Sequence, residues 1–188
     1  MIISKTPYRI SFFGGGSDYP SWYINNGGKI LSTTINKFIY ISCRNLPPFF
    51  SHKYRIVWSK LEMVNKINQI DHKPIRKMLD YYKIKNGLEI HYDGDLPARS
   101  GMGSSSVFVV GLLNLMNSLK GKNFTKEDLA KKSIFFEQKI LKENVGSQDQ
   151  IAVSYGGFNK IIFKKGGNFN VSKVSVSKKI INNLNRNL

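Results

Sequence analysis

Runs of β-branched and aromatic residues, several with an alternating pattern, recur along the chain and predict β-strands. The first run ends in three consecutive glycines, Gly14 to Gly16, which interrupt any regular element. The second run is long enough for two strands or for one bent strand, and Pro47 and Pro48 close it. The predicted strands cover residues 2–13, 29–44, 53–59, 88–92, 158–163 and 170–176.

Apolar positions with a helical period predict the remaining elements. The clearest case is the segment 74–85, where apolar residues recur at every third or fourth position. Two predicted helices cover residues 74–85 and 107–119. Further helices are predicted to begin at Thr125, near Asp149 and at Lys178. Strands and helices do not alternate regularly, so the order favours an α+β fold over a βαβ arrangement.

The composition is that of an ordinary globular protein, with 41% hydrophobic and 22% charged residues. The net charge of +17 is unusual. It indicates either an anionic partner, such as nucleic acid or phosphorylated metabolites, or lysine used freely at solvated positions. We favour the second interpretation, because the lysines are scattered and form no run as long as a nucleic-acid-binding arm.

The single cysteine, Cys43, excludes an internal disulfide and lies in an apolar stretch, where a buried structural thiol is expected. The start of the chain shows no apolar signal-peptide region, and no stretch approaches the roughly 18 apolar residues that span a membrane. We therefore expect a cytoplasmic protein. His52, His72 and His91 show no metal-ligand spacing.

The clearest candidate for chemistry is the segment 95–106, which is rich in glycine and serine and lies between a predicted strand and an apolar helix. A glycine-rich turn at a helix N-terminus can bind phosphate, because unpaired N–H groups and the positive end of the helix dipole meet the anion there. Gly101 and Gly103 permit backbone conformations closed to other residues. A glycine turn with a serine cap and no ligand explains this segment equally well when it is taken alone.

A second candidate segment covers residues 6–19. Arg9 lies among apolar neighbours in a predicted strand, where a charge is costly unless an anion or a carboxylate meets it. Asp18 follows the three glycines and could accept hydrogen bonds from sugar hydroxyls. A salt-bridged arginine and an aspartate in an ordinary turn are the alternative, with equal weight.

A pair of carboxylates forms the third candidate. Glu137 lies in a predicted helix, and Asp149 follows a glycine break 12 residues later, so the two meet only if the intervening loop folds back. Two carboxylates that converge on a phosphate site suit phosphoryl transfer, with one holding magnesium and the other orienting or deprotonating the attacking hydroxyl. A solvated glutamate and a capping aspartate are the alternative for each residue alone.

Together the three segments resemble the GHMP kinase superfamily, named for galactokinase, homoserine kinase, mevalonate kinase and phosphomevalonate kinase. Residues 7–19 match its first motif, 96–106 its phosphate loop and 146–150 the segment with its catalytic aspartate. The three glycines, residues 46–50 and residues 98–106 look like the branch that contains D-glycero-D-manno-heptose 7-phosphate kinase. Galactokinase-like members carry a Glu-His pair where this chain has glycines, so their sugar contacts do not transfer.

The resemblance implies a role for each matched residue. Asp149 would be the base or would orient the sugar hydroxyl, and Arg9 would offset charge near the transferred phosphate or fix Asp149. Glu137 would coordinate Mg²⁺ together with Ser105 or, as the weaker alternative, Ser104. The residues implied to bind ATP are Pro97, Ser100, Gly101, Met102, Gly103, Ser104, Ser105 and Ser106. Those implied to bind the sugar are Gly15, Gly16, Asp18 and Tyr19.

The resemblance also implies a fold and a domain organisation. The expected fold is a two-domain α+β kinase whose N-terminal domain resembles domain 2 of ribosomal protein S5. Residues 1–163 would form the N-terminal ATP-binding domain, and residues 164–188 the start of a C-terminal region that is largely missing. The reason is that the third glycine-rich motif of the family has no counterpart after Asp149.

The implied activity is ATP-dependent phosphorylation of a hydroxyl on a sugar or sugar phosphate, with a heptose 7-phosphate-like substrate, the anomeric position as acceptor, and ATP and Mg²⁺ as cofactors. One alternative is a non-catalytic nucleotide-binding remnant. Another is one half of a split kinase that pairs with a missing C-terminal domain or partner chain. The third is a basic nucleic-acid-binding domain, which we weight least. No membrane partner is expected.

Overall fold

A computed structural model describes residues 1–97 and 100–187 of the 188-residue chain. Ala98 and Arg99 of the glycine- and serine-rich segment, and Leu188, lie outside the described residues. A 3₁₀ turn covers Ile67–Gln69, and a π-helical turn, Phe136–Ile140, directly follows α4. In chain order the other elements are β1 (Ile2–Phe13), α1 (Pro20–Asn26), β2 (Gly28–Asn45), β3 (Tyr54–Val57), β4 (Leu61–Val64), α2 (Lys73–Tyr81), β5 (Leu88–Gly94), α3 (Ser104–Leu119), α4 (Lys126–Phe135), α5 (Gln148–Tyr155), β6 (Phe158–Phe163), β7 (Phe169–Lys173) and α6 (Lys178–Asn187).

The strands form one seven-stranded sheet with the order β4-β3-β5-β2-β6-β7, and β1 pairs with β2. All pairs are antiparallel except β3 with β5. The long strand β2 organises the sheet, because its first half pairs with β6, its second half pairs with β5, and β1 runs along both halves. The β1–β2 register shifts between Pro7 and Arg9.

The main hydrophobic core lies between the sheet and helices α2 and α3. Ile39, Ile41 and Cys43 alternate along β2 and are buried in it. Gly111 lets α3 approach β1 closely, since a Cβ at this position would lie 2.6 Å from the Thr6 hydroxyl oxygen. This packing fixes the N-terminus of α3 beside β1.

A smaller core brings α1, α4 and α5 together over the first half of β2 and over β6. Its buried residues include Tyr23 of α1, Ala130 of α4, Ile151 of α5 and Ile161 of β6. Because Ile151 lies two positions after Asp149 on α5, this packing fixes the start of α5 near the N-terminus of α3.

The α+β fold class predicted from the sequence is confirmed, with corrections to individual elements. Of the two alternatives for the run 29–44, the structure shows one strand, Gly28–Asn45, and it corrects the start of α3 from Val107 to Ser104. The structure adds α1 and β4, of seven and four residues, which are too short to show a period in the sequence.

Two further findings concern membrane-spanning helices and the single cysteine. Within residues 1–97 and 100–187, no helix has the length and apolar character needed to cross a membrane. Cys43 is buried, as expected, and burial raises the pKa of its thiol to about 12. A neutral, enclosed thiol of this kind serves packing rather than nucleophilic chemistry.

Candidate active site

The glycine-rich turn leads directly into the N-terminus of α3. Gly101 and Gly103 have φ angles of 76° and 75°, in the left-handed region that strains residues with a Cβ. Gly103 is the N-cap residue of α3, and no side-chain cap is present among the described residues. The first amide N–H groups of α3 are therefore available to an anion.

Arg9 and Asp149 form a bidentate ion pair beside this turn. Arg9 Nε donates to Asp149 Oδ1 and Nη2 donates to Oδ2, both at 2.7 Å. Arg9 Nη1 also donates to the carbonyl oxygen of Gly101 at 3.0 Å. The side chains of Arg9 and Asp149 are 11% and 20% exposed. The arginine thus joins the carboxylate of α5 to the glycine turn.

Local structure explains why these two side chains meet. Arg9 lies at the irregularity in the β1–β2 pairing, and such irregularities redirect side chains. Asp149 lies in the first turn of α5. A Cβ on Gly103 would lie 2.9 Å from Asp149 Oδ2 and 3.2 Å from Arg9 Cζ. Glycine at 103 is therefore needed both for its φ angle and for the space that the ion pair occupies.

Glu137 lies in the π-helical turn that follows α4 and is fully buried. Ser106 Oγ donates to Glu137 Oε1 at 3.0 Å, and Gln150 Nε2 donates to Oε2 in a very short hydrogen bond. Burial raises the pKa of Glu137 to about 7, against the opposing effect of both hydrogen bonds. Single π-helical turns occur often at functional sites, and this one places a carboxylate inside the protein beside α3.

The serine in contact with Glu137 is Ser106, whereas the sequence led us to expect Ser105 or Ser104. The phase of α3 explains the difference: all three serines line the cavity described below, but Ser106 is only 5% exposed and reaches Glu137, whereas Ser105 is exposed. The structure therefore adds Ser106 as the serine that contacts Glu137 directly. A magnesium-binding role for Ser105 itself stays a prediction.

The residues around Glu137 fit a magnesium ion. Among the described residues no lysine or arginine pairs with this buried carboxylate, and the fully buried Gln150 has an Oε1 atom without a hydrogen-bond partner. The described part of the chain holds no cluster of three or more His, Cys, Asp or Glu residues suited to a metal. Magnesium commonly takes one or two carboxylates and obtains its other ligands from water and substrate phosphates, so this oxygen-rich set is compatible with it.

Asp18 is buried, with 1% of its surface exposed. Its Oδ1 accepts from the Gly16 amide and its Oδ2 from the Gln148 amide, both at 3.1 Å. Its main-chain oxygen accepts from the Ser147 amide at 2.9 Å. Asp18 therefore ties the glycine loop after β1 to the start of α5. The predicted sugar contact of Asp18 stays a prediction, because these hydrogen bonds give it a structural role of its own.

A cavity of about 420 Å³ opens between the glycine turn and the start of α5. Its lining combines predicted phosphate-, sugar- and magnesium-binding residues with the ion pair: Arg9, Asp18, Tyr19, Gly101, Gly103, Ser104, Ser105, Ser106, Val145, Gly146, Gln148 and Asp149. A second cavity of about 330 Å³ shares Arg9, Gly101 and Gln148 with the first and is otherwise lined by residues 10–15 and Met102.

The structure does not bring every predicted site residue to these cavities. Gly15 and Met102 line the second cavity, but Gly16, Pro97 and Ser100 line neither. Glu137 lies behind Ser106 rather than on the cavity wall. Any contact of Pro97 or Ser100 with a nucleotide stays a prediction.

The structure adds residues that sequence reasoning did not select. Gln148 lines both cavities, and its Oε1 accepts from Ser11 Oγ at 2.7 Å. Gln150 contacts Glu137 and Ser106. The sequence feature that could have indicated them is the pair of glutamines on either side of Asp149. At the start of a helix, such polar side chains can contact the same site as the residue between them.

The comparison with protein families agrees with this geometry. Residues 69–157 match the family model for the GHMP kinases N terminal domain. The matched range includes the glycine turn, Glu137 and Asp149. This part of the chain therefore matches a GHMP kinase N-terminal domain.

Individual relatives of this kinase domain include sugar and sugar-phosphate kinases. D-glycero-alpha-D-manno-heptose 7-phosphate kinase of Campylobacter jejuni is 28% identical over 179 residues, covering 86% of this chain and 50% of the relative. Galactokinase of Pyrococcus furiosus is 30% identical over 168 residues, covering 86% and 46%. The chain therefore spans about half the length of these curated relatives.

Among solved structures, a D-glycero-D-manno-heptose 1-phosphate kinase from Bacteroides thetaiotaomicron superposes with a TM-score of 0.84 at 25% identity. The superposition covers 97% of this chain and 62% of that chain. The likeness therefore extends over nearly all of the sheet and helices of this domain.

Proposed function

We propose that this domain binds ATP and transfers its γ-phosphoryl group to a hydroxyl of a sugar or sugar phosphate. The observation that carries the proposal is the bidentate pair between Arg9 and Asp149, which lies on the glycine turn at the uncapped N-terminus of α3. This arrangement puts an uncapped helix N-terminus and a fixed carboxylate on the wall of one cavity. Phosphoryl transfer depends mainly on such positioning and on charge neutralisation.

The amide N–H groups at the start of α3 would bind the phosphates of ATP. The positive end of the helix dipole and the small Gly101 and Gly103 favour a close approach of the anion. The Ser104 and Ser105 side chains line the same cavity and could donate to phosphate oxygens.

Glu137 and Ser106 would hold a magnesium ion beside the phosphates. A bound magnesium ion would neutralise charge on the phosphate oxygens as the γ-phosphoryl group is transferred. Ser105 is the further candidate ligand on the cavity side of α3. Each of these residues supplies a hard oxygen donor, which matches the preference of magnesium.

Asp149 would orient the attacking sugar hydroxyl and accept its proton. Each of its oxygens already accepts one N–H from Arg9, and a carboxylate oxygen retains a second lone pair for another donor. Arg9 would thus fix the direction of the free lone pairs. Its guanidinium group would also offset negative charge near the transferred group.

A heptose 7-phosphate-like sugar, phosphorylated at the anomeric hydroxyl, is the substrate that we propose. The support comes from the heptose phosphate kinases among the relatives and from the adjoining cavities, which give a nucleotide and an acceptor separate places around Arg9. Gly15 and Tyr19 are the candidates for contacts with the sugar.

The test is ADP formation by the purified chain with Mg²⁺, ATP and candidate sugar phosphates, in the wild type and in Asp149→Asn. We expect turnover to fall at least 100-fold in Asp149→Asn, since a positioned proton acceptor contributes about 10²–10⁴-fold. Asp93→Asn removes an exposed carboxylate of β5 and should leave turnover unchanged. Equal turnover in the wild type and Asp149→Asn would remove Asp149 from its proposed role.

A further inference from the structure

Gln150 joins two of the proposed magnesium ligands. It lies next to Asp149 on α5 and is fully buried. Its Nε2 donates to Glu137 Oε2 and, at 3.3 Å, to Ser106 Oγ, which itself donates to Glu137 Oε1 at 3.0 Å. Three side chains from α3, the π-helical turn and α5 therefore close a ring of hydrogen bonds.

The orientation of the Gln150 amide is set by these two acceptors. Its own oxygen, Oε1, has no partner within the described part of the chain. A buried polar atom without a partner is unfavourable. The reversed amide would place Oε1 against the carboxylate of Glu137, which is an acceptor when ionised. The observed orientation, in which Nε2 donates to Glu137 and Ser106, is therefore favoured even though it leaves Oε1 without a partner.

We propose that Gln150 is a positioning residue that directs the free lone pairs of Glu137 and Ser106 toward one magnesium ion. The inference rests on the proposed function, because it assigns magnesium to these two residues. A serine hydroxyl has one proton and two lone pairs. Since Gln150 occupies one lone pair of Ser106 and Glu137 accepts the proton, the remaining lone pair has a fixed direction. Gln150 also prevents the carboxylate of Glu137 from rotating.

The first experiment separates metal-dependent from metal-independent nucleotide binding. The dissociation constant of ATP is measured with Mg²⁺ and with EDTA for the wild type, for Gln150→Met, which keeps the length of the side chain but not its donor, and for Gln138→Met. Gln138 is a matched control, because it is adjacent to Glu137 and donates to Val145 and Ser147 instead.

Mg²⁺ should tighten ATP binding by some factor in the wild type, and we expect Gln150→Met to reduce that factor about 10-fold. This loss lies within the 10–100-fold range typical of residues that orient metal ligands. Binding in EDTA and the Gln138→Met variant should show no such change. An undiminished Mg²⁺ advantage in Gln150→Met, or an equal loss in Gln138→Met, would overturn the inference. Gln150→Asn, which shortens the side chain and withdraws the donor, is measured in the same way if Gln150→Met fails to fold.

A second readout needs no nucleotide. In protein labelled with ¹³C at the glutamate carboxyl, the resonance of Glu137 is identified by its absence in Glu137→Gln. Gln150→Met should shift this resonance, and Gln138→Met should not. An unchanged resonance overturns the positioning role whether or not ATP binds. A wild-type chain that binds ATP equally well with Mg²⁺ and with EDTA overturns the proposed magnesium site instead.

Discussion

Two buried glutamates of this domain have opposite surroundings. Glu89 on β5 is 4% exposed and contacts three basic side chains: it accepts from Arg44 at 2.7 Å and from Arg55 at 2.8 Å, and lies 2.7 Å from His91 Nε2. Glu137 is fully buried, and within residues 1–97 and 100–187 its carboxylate accepts hydrogen bonds from the neutral side chains of Ser106 and Gln150. The hydrogen bond from His91, with the two arginine charges, holds the pKa of Glu89 below its ordinary value, whereas burial raises that of Glu137 to about 7.

The difference shows how a structural carboxylate can be told from a candidate functional one. Glu89 is neutralised by the protein itself, and its cluster links three strands of the sheet. Glu137 is removed from water without a cation among the described residues, which is costly for an ionised group. Such a carboxylate is a candidate ligand for the proposed magnesium ion, since perturbed pKa values of this kind cluster at functional sites.

The largest expected effect is on the pH dependence of stability, where the two glutamates should act in opposite directions. Folded Glu137 keeps its proton up to a pH of about 7, whereas an unfolded glutamate loses it near pH 4.3. Between these values the folded state binds more protons, so stability falls as pH rises. Glu137→Gln lacks this titration. The wild type should therefore lose about 3 kcal/mol relative to Glu137→Gln between pH 4.5 and 8, at about 1.4 kcal/mol per pKa unit.

Glu89 supplies the control in the acid range. Because its folded pKa is lowered, its contribution is present above the unfolded pKa and is lost as pH falls through the folded pKa. The wild type should therefore lose stability relative to Glu89→Gln on acidification, and Glu137→Gln, which keeps Glu89, should show the same acid loss as the wild type. Urea unfolding of the three proteins across the pH range measures both effects. If the unfolding free energies of the wild type and Glu137→Gln changed with pH in the same way, the predicted difference between the two glutamates would be wrong.

Much of the fold could be predicted from the sequence, because long elements carry a clear period. The strand β2 buries Ile39, Ile41 and Cys43 at alternate positions, and the helix α3 buries many apolar residues. By contrast, α1 is a short helix in which only Tyr23 is buried, so its pattern is too weak to detect. The π-helical turn that follows α4 could not be predicted from the sequence either, since it depends on how Glu137 packs.

The candidate site could be predicted only as separate residues. Arg9 and Asp149 each stood out, the first as a charge in an apolar strand and the second as an acid after a glycine. Their pairing joins positions 140 residues apart, so it depends on the sheet topology and on the packing of α5. The choice of Ser106 over Ser105 depends on the phase of α3, which spacing alone leaves open.

A second prediction concerns a substitution that crowds the ion-paired carboxylate of Asp149 without changing its charge. Gly103→Ala introduces a Cβ 2.9 Å from Asp149 Oδ2 and forces alanine into a left-handed conformation. Gly101→Ala carries the same conformational cost, about 1–2 kcal/mol, but no atom of the described residues lies within 4 Å of its Cβ. Overpacking adds to the cost at position 103. We expect losses of roughly 2–3 kcal/mol for Gly103→Ala and roughly 1–2 kcal/mol for Gly101→Ala.

Urea unfolding measures these losses, and ADP formation shows whether Asp149 has moved. Gly103→Ala should also lower turnover, while the pH effect of Glu137 should persist, because the buried carboxylate keeps its partners. Identical stability and turnover in the two alanine variants would show that the close contact between Gly103 and the ion pair has no consequence.

The smallest expected effect is on turnover, when either of two carboxylate-binding arginines is replaced by lysine. Arg9 contacts both oxygens of Asp149 and the Gly101 carbonyl, a geometry that lysine cannot reproduce with a single ammonium group. Arg9→Lys should keep the charge and the fold but lower turnover roughly 10-fold, as expected for one lost hydrogen bond to a charged group. The expected cause is looser orientation of Asp149.

Arg44→Lys is the matched control, because Arg44 binds Glu89 and its side chain is 49% exposed. Exposed ion pairs contribute little to stability, so this variant should change neither turnover nor ATP binding. If Arg9→Lys also leaves turnover unchanged, then the charge beside Asp149 suffices and the bidentate geometry has no role. A fall in turnover confined to Arg9→Lys, with ATP binding retained, would instead show that the guanidinium group acts by holding the carboxylate in one orientation.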